Sequence, residues 1–229
     1  MRNVIGLSFF IFHFSLSPAA AQVKVATPNW RDSLTVLNKE IARAAAWSTD
    51  LHLRKAAVNL ELQQWEYAAE EYALVLQHEP RNLAALFYRA YANSHLRRYN
   101  LSRDDYEDFL KMVPRHLEAR LGLAYVYQQL SRRTDAMNQL NRVVEQYPDS
   151  AVGYAARATL ERDMLQHEAA LYDWQEALRR EPQNTGYVAS YVDLLLQQGR
   201  KNDARQALDA AVRRGTPRGL LREWYERCQ

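Results

Sequence analysis

Four prolines recur at a constant interval, and this interval constrains the fold of the chain more than any other feature of its sequence. Pro80, Pro114, Pro148 and Pro182 are each 34 residues apart. Proline makes up about one residue in twenty of an average protein, so three equal gaps indicate an internal repeat rather than coincidence. With the proline numbered as position 32, the repeated units are 49–82, 83–116, 117–150, 151–184 and 185–218.

Other positions of the unit also keep their residue type. Positions 8 and 20 hold alanine or serine in nine of ten cases, and positions 24 and 28 hold large apolar residues. Position 8 is Ala56, Ala90, Ala124, Ala158 and Val192, and position 24 is Tyr72, Tyr106, Leu140, Trp174 and Leu208. Small side chains allow two helices to approach closely, and large ones four residues apart form an apolar helical stripe. Each unit is therefore predicted to contain two packed helices.

The last residues of each unit predict where one helix stops and the next begins. Proline at position 32 cannot continue a helix, so the second helix of the unit is expected to end before it. In the fifth unit the proline comes one residue late, at Pro217. At position 34, Asn82, Ser150 and Asn184 are expected to cap the following helix, and His116 is a weaker candidate.

A helix–turn–helix unit of 34 residues with this pattern resembles the tetratricopeptide repeat family. The resemblance covers residues 49–218. It is weakest in the first helix of the unit, where position 4 is His52 and Arg120 in two units and only Tyr127 keeps the aromatic residue of position 11. The resemblance implies an all-α fold, a right-handed α-α superhelix (solenoid) of five 34-residue helix-turn-helix repeats with N- and C-terminal capping helices.

The segments that flank the repeats are predicted to be these capping helices. Residues 22–48 hold an apolar stripe that follows the cap candidate Asn29, and residues 219–229 hold a second, shorter stripe. The stripes are Trp30, Leu34, Leu37, Ile41 and Ala45, and then Leu220, Leu221, Trp224, Tyr225 and Cys228. Stacked repeats leave an apolar face at each end, which a terminal helix can cover. The whole pattern predicts twelve helices and no strand.

The first 21 residues are predicted to be a signal peptide. Arg2 precedes an apolar run from Val4 to Leu16, and small residues then lead to a cleavage site between Ala21 and Gln22. A membrane-spanning helix needs about 20 apolar residues, so this run is too short for a transmembrane anchor. The protein is expected to be exported, to a bacterial periplasm in the favoured interpretation or through a eukaryotic secretory pathway in the alternative.

Charge and composition argue against several classes of function. A net charge of +3 is too small to indicate a nucleic-acid-binding protein, and a single cysteine, Cys228, excludes an intramolecular disulfide. The histidines of 22–229 show no metal-ligand spacing, and this part of the sequence has no glycine-rich loop. The acidic pairs Glu70-Glu71 and Asp104-Asp105 are expected to be solvated on second helices. The chain is therefore predicted not to be an enzyme and to bind no cofactor or metal.

The resemblance also implies a concave groove lined by the first helix of every unit, at positions 2, 5, 6, 9, 12 and 13. These positions are apolar and aromatic in the first three units and become polar towards the fifth, with Asp193 and Gln197. The candidate partner-binding residues are Leu53, Arg54, Phe87, Tyr88, Tyr91, Leu121 and Tyr125.

Three of these aromatic residues, Phe87, Tyr91 and Tyr125, are candidate anchors for a partner. Aromatic side chains supply a large contact area at a modest cost in entropy. The alternative is that they pack against each other or against the next first helix and touch no partner. The family's two-carboxylate clamp needs lysine at position 5 and asparagine at position 9, and no unit has this pair, so binding of a chaperone tail is rejected.

A column of basic residues at position 7 also has two interpretations. Arg89 and Arg157 share this position, with Lys55 as a partial third. They can form a ladder for acidic partners, or they can lay their aliphatic stems along the helix pair and keep the charge in solvent.

The sequence thus favours a non-catalytic protein–protein interaction scaffold of the cell envelope, which binds a peptide or partner protein in its concave groove. The alternative is a structural subunit of a homo-oligomer or envelope assembly, with the groove filled permanently. No residue pattern identifies the partner or the oligomeric state.

Overall fold

The computed structural model describes residues 29–229, and over these residues it contains twelve α-helices and no strand. The predicted signal peptide 1–21 and the first part of the predicted N-terminal cap lie outside the described residues. The helices are α1 Trp30–Arg43, α2 Thr49–Glu61, α3 Trp65–His78, α4 Leu83–His95, α5 Tyr99–Met112, α6 Leu117–Gln129, α7 Arg133–Gln146, α8 Ala151–Asp163, α9 His167–Arg180, α10 Thr185–Gln197, α11 Lys201–Arg213 and α12 Arg222–Arg227. A short 3₁₀ turn, Arg218–Leu221, precedes α12.

Helices α2 to α11 form five consecutive pairs, here called repeats 1 to 5. In every repeat the first helix begins at position 1 of the unit and the second begins at position 17. Each helix packs against the next one along the chain. The predicted fold class, an α-α solenoid of five helix-turn-helix repeats between terminal helices, is therefore confirmed. In the described part of the chain, every helix is too short or too polar to cross a bilayer.

The predicted N-caps form as hydrogen bonds from backbone to side chain. Asn82, Ser150 and Asn184 each accept from the backbone N–H three residues later. His116 does the same through Nδ1, 3.2 Å from the backbone nitrogen of Ala119, so the weaker candidate is also a cap. Asn29 does not cap α1, because its side-chain amide donates to the Asp32 carboxylate instead.

The turn within each repeat has the same backbone geometry. The residue at position 15 takes a positive φ between 55° and 71° in all five repeats: Gln63, Arg97, Ser131, Leu165 and Gly199. The next backbone N–H then donates to the carbonyl at position 11, at 2.8–2.9 Å. This is a Schellman ending, in which a left-handed residue lets the last carbonyls of the first helix find donors. Only repeat 5 uses glycine there.

The small and large columns of the sequence make up the core. All ten residues at positions 8 and 20 are buried, and so are all five at position 24. Ser102, the one polar member of position 20, donates its hydroxyl hydrogen to the carbonyl of Ala90 at 2.7 Å, so its burial is compensated. The buried apolar residues form two clusters, one mainly in repeats 1–3 and one in repeats 4–5 with the C-terminal helix.

Both ends of the solenoid are covered. At the C-terminal end Leu221, Tyr225 and Cys228 join the second core cluster. The Cys228 thiol is buried, and this burial raises its pKa. At the N-terminal end α1 packs on α2, and the Trp47 ring that follows α1 lies stacked between the His52 and His78 rings, at 4.0 and 3.9 Å.

Candidate partner-binding groove

The seven candidate residues lie on the first helices of repeats 1, 2 and 3. Successive first helices contact each other there, α2 with α4 and α4 with α6. Arg54 and Tyr88 are exposed, whereas the remaining five, Leu53, Phe87, Tyr91, Leu121 and Tyr125, are half-buried. The structure thus places these side chains on three neighbouring helices, at the positions that the repeat register assigns to one face.

Phe87 packs against aromatic rings of α5 and of the turn that follows it. Its ring centroid lies 5.8 Å from that of Tyr106, 5.5 Å from that of Phe109 and 5.3 Å from that of His116. These distances are typical of packed aromatic pairs. Phe87 therefore fixes α4 against α5, and it offers a partner less surface than its neighbour Tyr88, which is 43% exposed.

Tyr91 belongs to a second aromatic cluster at the turn end of the repeats. The Trp65 and His95 rings are stacked at 4.0 Å with an angle of 6° between their planes. The edge of Tyr91 meets both rings, at 5.9 and 4.6 Å. Burial, and secondly the negative charge of Glu61, raise the pKa of Tyr91, and burial lowers the pKa of His95.

A cleft opens beside this cluster, between the ends of α4 and α6. We call it the tyrosine cleft, and its volume is about 240 Å³. It is lined by Ser94, His95, Arg97, Tyr99, Tyr125 and Gln129. The Tyr99 and Tyr125 rings meet edge to face at 6.4 Å. Burial and a hydrogen bond with Tyr99 raise the pKa of Tyr125 to about 12, and the nearby charge of Arg97 opposes this shift.

Two residues of this region, Trp65 and Tyr99, were missed by sequence reasoning that considered only first helices. Both occupy position 17, the first residue of a second helix, and the remaining repeats have Arg133, His167 and Lys201 there. The signal was available as two aromatic residues in one column of adjacent repeats. Position 17 therefore adds a side wall to the groove at its turn end.

The polar end of the groove is occupied by the chain itself. Asp193 accepts hydrogen bonds from Trp224 Nε1 at 3.0 Å and from the Arg227 guanidinium at 2.6 Å. Both donors belong to the C-terminal helix α12. At this point the groove is covered by the C-terminal helix, so Asp193 serves an internal contact.

The basic column at position 7 forms ion pairs within the repeat, which corrects both interpretations of it. Lys55 meets the Glu71 carboxylate at 2.6 Å. Arg89 and Arg157 make two hydrogen bonds each, at 2.6–2.8 Å, to Asp105 and Asp173 respectively. Every acceptor stands at position 23 of the same repeat, so position 7 faces position 23 across the helix pair. These cations do not form a ladder open to acidic partners.

The expectation of solvated acid pairs is wrong for one member of each pair. Glu71 and Asp105 are buried, whereas their neighbours Glu70 and Asp104 are exposed. Position 23 lies at the interface of the two helices, one residue beyond the exposed position 22. Burial raises the pKa of Asp105, although its hydrogen bonds to Arg89 oppose the shift.

In repeat 4 a further acid beside Asp173, Glu161 at position 11, is buried. Its carboxylate lies 3.9 Å from Arg157, which also binds Asp173. Burial and then the charge of Asp173 raise the pKa of Glu161 to about 7, against the opposing charge of Arg157. One arginine thus faces two carboxyl groups. Elsewhere too, the described residues bring no three metal-ligating side chains together in a way that could hold a metal ion.

Comparison with known proteins places the fold among repeat proteins. Two models of the tetratricopeptide repeat match residues 96–160 and 155–218. No curated protein sequence matches the chain. At the identities found among solved structures, similarity shows the fold alone.

Three solved structures illustrate this similarity. MamA (41-end) from Desulfovibrio magneticus RS-1 has a TM-score of 0.66 and 18% identity, and the match covers 74% of this chain and 96% of that one. A tetratricopeptide repeat protein from Parabacteroides merdae ATCC 43184 has a TM-score of 0.62 and 18% identity, with 87% and 77% covered. The thermophilic protein TTC0263 from Thermus thermophilus has a TM-score of 0.58 and 20% identity, with 73% and 91% covered.

Proposed function

This chain belongs to the tetratricopeptide repeat family, and from that premise we propose that it is a non-catalytic interaction scaffold of the cell envelope. It binds a protein or peptide partner in the groove of its first helices. The observation that carries this proposal is the concentration of partly exposed aromatic residues, Tyr88, Tyr91 and Tyr125, on the contacting helices α4 and α6. In repeat 4 the corresponding positions 5, 6 and 9 are alanine, alanine and threonine.

The energetics of binding favour such a surface. Tyrosine is enriched among the residues that dominate binding energy, because it combines apolar area with a polar group and few rotatable bonds. In repeats 1, 2 and 4, the ion pairs between positions 7 and 23 hold the first helix on the second helix before a partner arrives. A preformed groove loses little conformational entropy on binding, so more of the contact energy appears as affinity.

A non-catalytic role agrees with the use of the buried carboxylates at position 23. Glu71, Asp105 and Asp173 each face a basic side chain of their own repeat at hydrogen-bonding distance. These pairs lie between the two helices of a repeat rather than on the groove positions. Their chemistry is thus accounted for by helix packing.

Export is part of the proposal and rests on the leader sequence. The run from Val4 to Leu16 and the small residues up to Ala21 have the arrangement of a cleavable signal. Expression of the full chain in a bacterium, followed by fractionation and intact-mass measurement, tests this. We expect a periplasmic product that begins at Gln22, and an uncleaved cytoplasmic product would contradict export.

The groove is tested by crosslinking and affinity capture with the double variant Tyr91→Ala, Tyr125→Ala. We expect the affinity for captured partners to fall about 30-fold or more, since a binding hot spot contributes roughly 2 kcal/mol. Tyr172→Ala is the matched control, because Tyr172 is 58% exposed but lies on the second helix α9. Equal binding by all three proteins would contradict the groove proposal.

Helicity and melting temperature of the double variant must be measured in the same experiment. Binding lost at an almost unchanged melting temperature supports anchoring by Tyr91 and Tyr125. A large drop in melting temperature would instead support the packing alternative, since Tyr91 also contacts Trp65 and His95.

One observation favours the second candidate, a structural subunit whose groove is permanently filled. The C-terminal helix α12 already covers Asp193 in repeat 5. Light scattering on the purified protein separates the two functions. A stable homo-oligomer that buries Tyr88 and Tyr91 would support the structural subunit, and a monomer supports the scaffold.

A further inference from the structure

The tyrosine cleft combines a positive charge with hydroxyl and amide groups, and the residue that carries the charge has a defined backbone conformation. Arg97 occupies the left-handed position of the repeat 2 turn, with φ of 60°. Its own N–H donates to the Ser94 carbonyl at 3.1 Å, and the N–H of Arg98 donates to the Asn93 carbonyl at 2.9 Å. These carbonyls at the end of α4 are therefore already bonded, and the guanidinium is not needed to cap them.

The two adjacent arginines of this turn differ in their partners. Arg98 pairs with the Glu66 carboxylate at 2.7 Å. Among residues 29–229, no carboxylate lies within ion-pair distance of Arg97. Arg97 instead lines the cleft with Tyr125, and its positive charge opposes the rise in the pKa of the Tyr125 hydroxyl. The cleft therefore has a cation whose charge is not neutralised by an ion pair within the described part of the chain.

The surroundings of Arg97 strengthen its interaction with an anion. The walls of the cleft are the tyrosine rings of positions 9 and 17 and the His95 ring, which is stacked on Trp65. Arg97 is itself exposed, so a partner can reach its guanidinium, and a bound partner segment that covers the cleft would lower the local dielectric and strengthen the ion pair. The Gln129 amide, which also lines the cleft, is a further donor group for an oxygen ligand.

Building on the groove-binding function proposed above, we infer that the tyrosine cleft binds an aspartate or glutamate side chain of the partner segment. The partner's carboxylate meets the Arg97 guanidinium, and an adjacent apolar or aromatic partner residue covers Tyr91. Glu61 lies near Tyr91. The negative charge of Glu61 disfavours a second acid beside Tyr91. The partner segment therefore places an acid at Arg97 and an apolar residue at Tyr91, and it is not a uniformly acidic chain.

The test uses random short peptides displayed on phage and selected on the purified protein. We expect the selected peptides to be enriched in Asp or Glu beside an apolar residue. One selected peptide is then synthesised twice, with the acid and with the corresponding amide. Calorimetry should give about tenfold weaker binding for the amide form, which is the expected loss for one charge-assisted hydrogen bond in a partly exposed site.

The variant Arg97→Gln tests whether the Arg97 guanidinium is the group that binds the carboxylate of the peptide. It should bind the acidic peptide about tenfold more weakly than the unmodified protein, and it should not distinguish the acid from the amide. Arg98→Gln is the matched control, because Arg98 is the next residue, has the same charge and pairs with Glu66 outside the cleft lining. Arg98→Gln should keep both the affinity and the preference for the acid.

The outcomes separate this inference from the groove-binding function. Peptides without an acid, or a preference for the acid that survives Arg97→Gln, would overturn the inference. If such peptides still bind about tenfold more weakly to Tyr91→Ala, the groove function stands. If Tyr91→Ala has no effect, or if no peptide is selected at all, both proposals fail.

Discussion

Repeats 2 and 4 hold their two helices together in the same way, yet they present different surfaces to the groove. In repeat 2, Arg89 donates hydrogen bonds from Nε and Nη2 to the Asp105 carboxylate. In repeat 4, Arg157 donates from the same two atoms to Asp173, and the distances are 2.6–2.8 Å in both repeats. Such two-point contacts between guanidinium and carboxylate fix orientation as well as distance. The packing of the first helix on the second is therefore fixed in both repeats by the same arginine–aspartate ion pair.

The groove positions of the two repeats differ sharply. Positions 5 and 9 are Phe87 and Tyr91 in repeat 2, but Ala155 and Thr159 in repeat 4. The residues that join the helices and the residues that face the groove occupy different sides of the first helix, so they can change independently. A solenoid can therefore vary its binding surface along its length without a change in its repeat geometry.

A second difference lies beneath the groove at position 11. Asn93 is buried there in repeat 2, and Glu161 is buried there in repeat 4, 3.9 Å from Arg157. Repeat 4 thus has two carboxyl groups for one arginine, whereas repeat 2 has one. The ion pairs look alike, but they should respond differently to mutation and to pH.

The largest effect is expected from Asp105→Asn. Although burial raises the pKa of Asp105, asparagine cannot accept both hydrogen bonds of Arg89, because its NH2 group would face a guanidinium donor at a mostly buried interface. We therefore expect the free energy of unfolding to fall by about 3 kcal/mol. The measurement is urea denaturation followed by far-UV circular dichroism at pH 8.

The same change in repeat 4, Asp173→Asn, should cost clearly less. Without Asp173, the Glu161 carboxyl loses the negative neighbour that raises its pKa and becomes the partner of Arg157. The double variant Asp173→Asn, Glu161→Gln should then be as destabilised as Asp105→Asn. Equal losses for the two single variants would show that Glu161 does not compensate.

The next effect concerns pH and Glu161→Gln. The pKa of Glu161 is about 7 in the folded chain, above its ordinary value of 4.5, so the folded state keeps a proton that the unfolded chain releases. Glu161 therefore favours folding at low pH, and this contribution is lost as the pH rises from 4.5 towards 7. Glu161→Gln should stabilise the protein by about 2 kcal/mol at pH 8 and have little effect near pH 4.5.

Thermal unfolding at several pH values checks this prediction. The control is Glu70→Gln, because Glu70 is exposed on α3. It should shift the melting temperature little at any pH. A melting temperature of Glu161→Gln that follows the unmodified protein at every pH would contradict a raised pKa at position 11.

The fold was predictable because its signals are local. In the first four repeats a proline follows the end of the second helix, and a side chain at position 34 caps the next helix, so these helix bounds follow from residues such as Pro114 and Asn82. The ion pairs were missed because positions 7 and 23 lie on different helices, and their facing depends on side-chain directions that a one-dimensional pattern does not contain. One clue was present: Lys55 and Glu71, Arg89 and Asp105, and Arg157 and Asp173 place opposite charges in the same two columns of the same three repeats.

The groove was predictable only in part, for a related reason. The repeat register placed Tyr91 and Tyr125 on first helices, but Trp65 and Tyr99 come from second helices and join them through the turn. The covering of Asp193 by α12 could not be anticipated, because it depends on how the last segment folds back over repeat 5.

The smallest effect sharpens the comparison at the turn itself. Leu165 in repeat 4 has φ of 62° and is 75% exposed, so its side chain contributes little packing while its backbone is strained. Leu165→Gly should stabilise the protein by about 1 kcal/mol, because glycine adopts this conformation without a Cβ clash. Arg97→Gly should increase the free energy of unfolding by a similar amount, but it should also weaken the binding of acidic peptides. Gly199→Ala in repeat 5 should lower the free energy of unfolding by about the amount that the other two changes add. If Leu165→Gly lowered the melting temperature, the exposed leucine would be making a contact worth more than its strain.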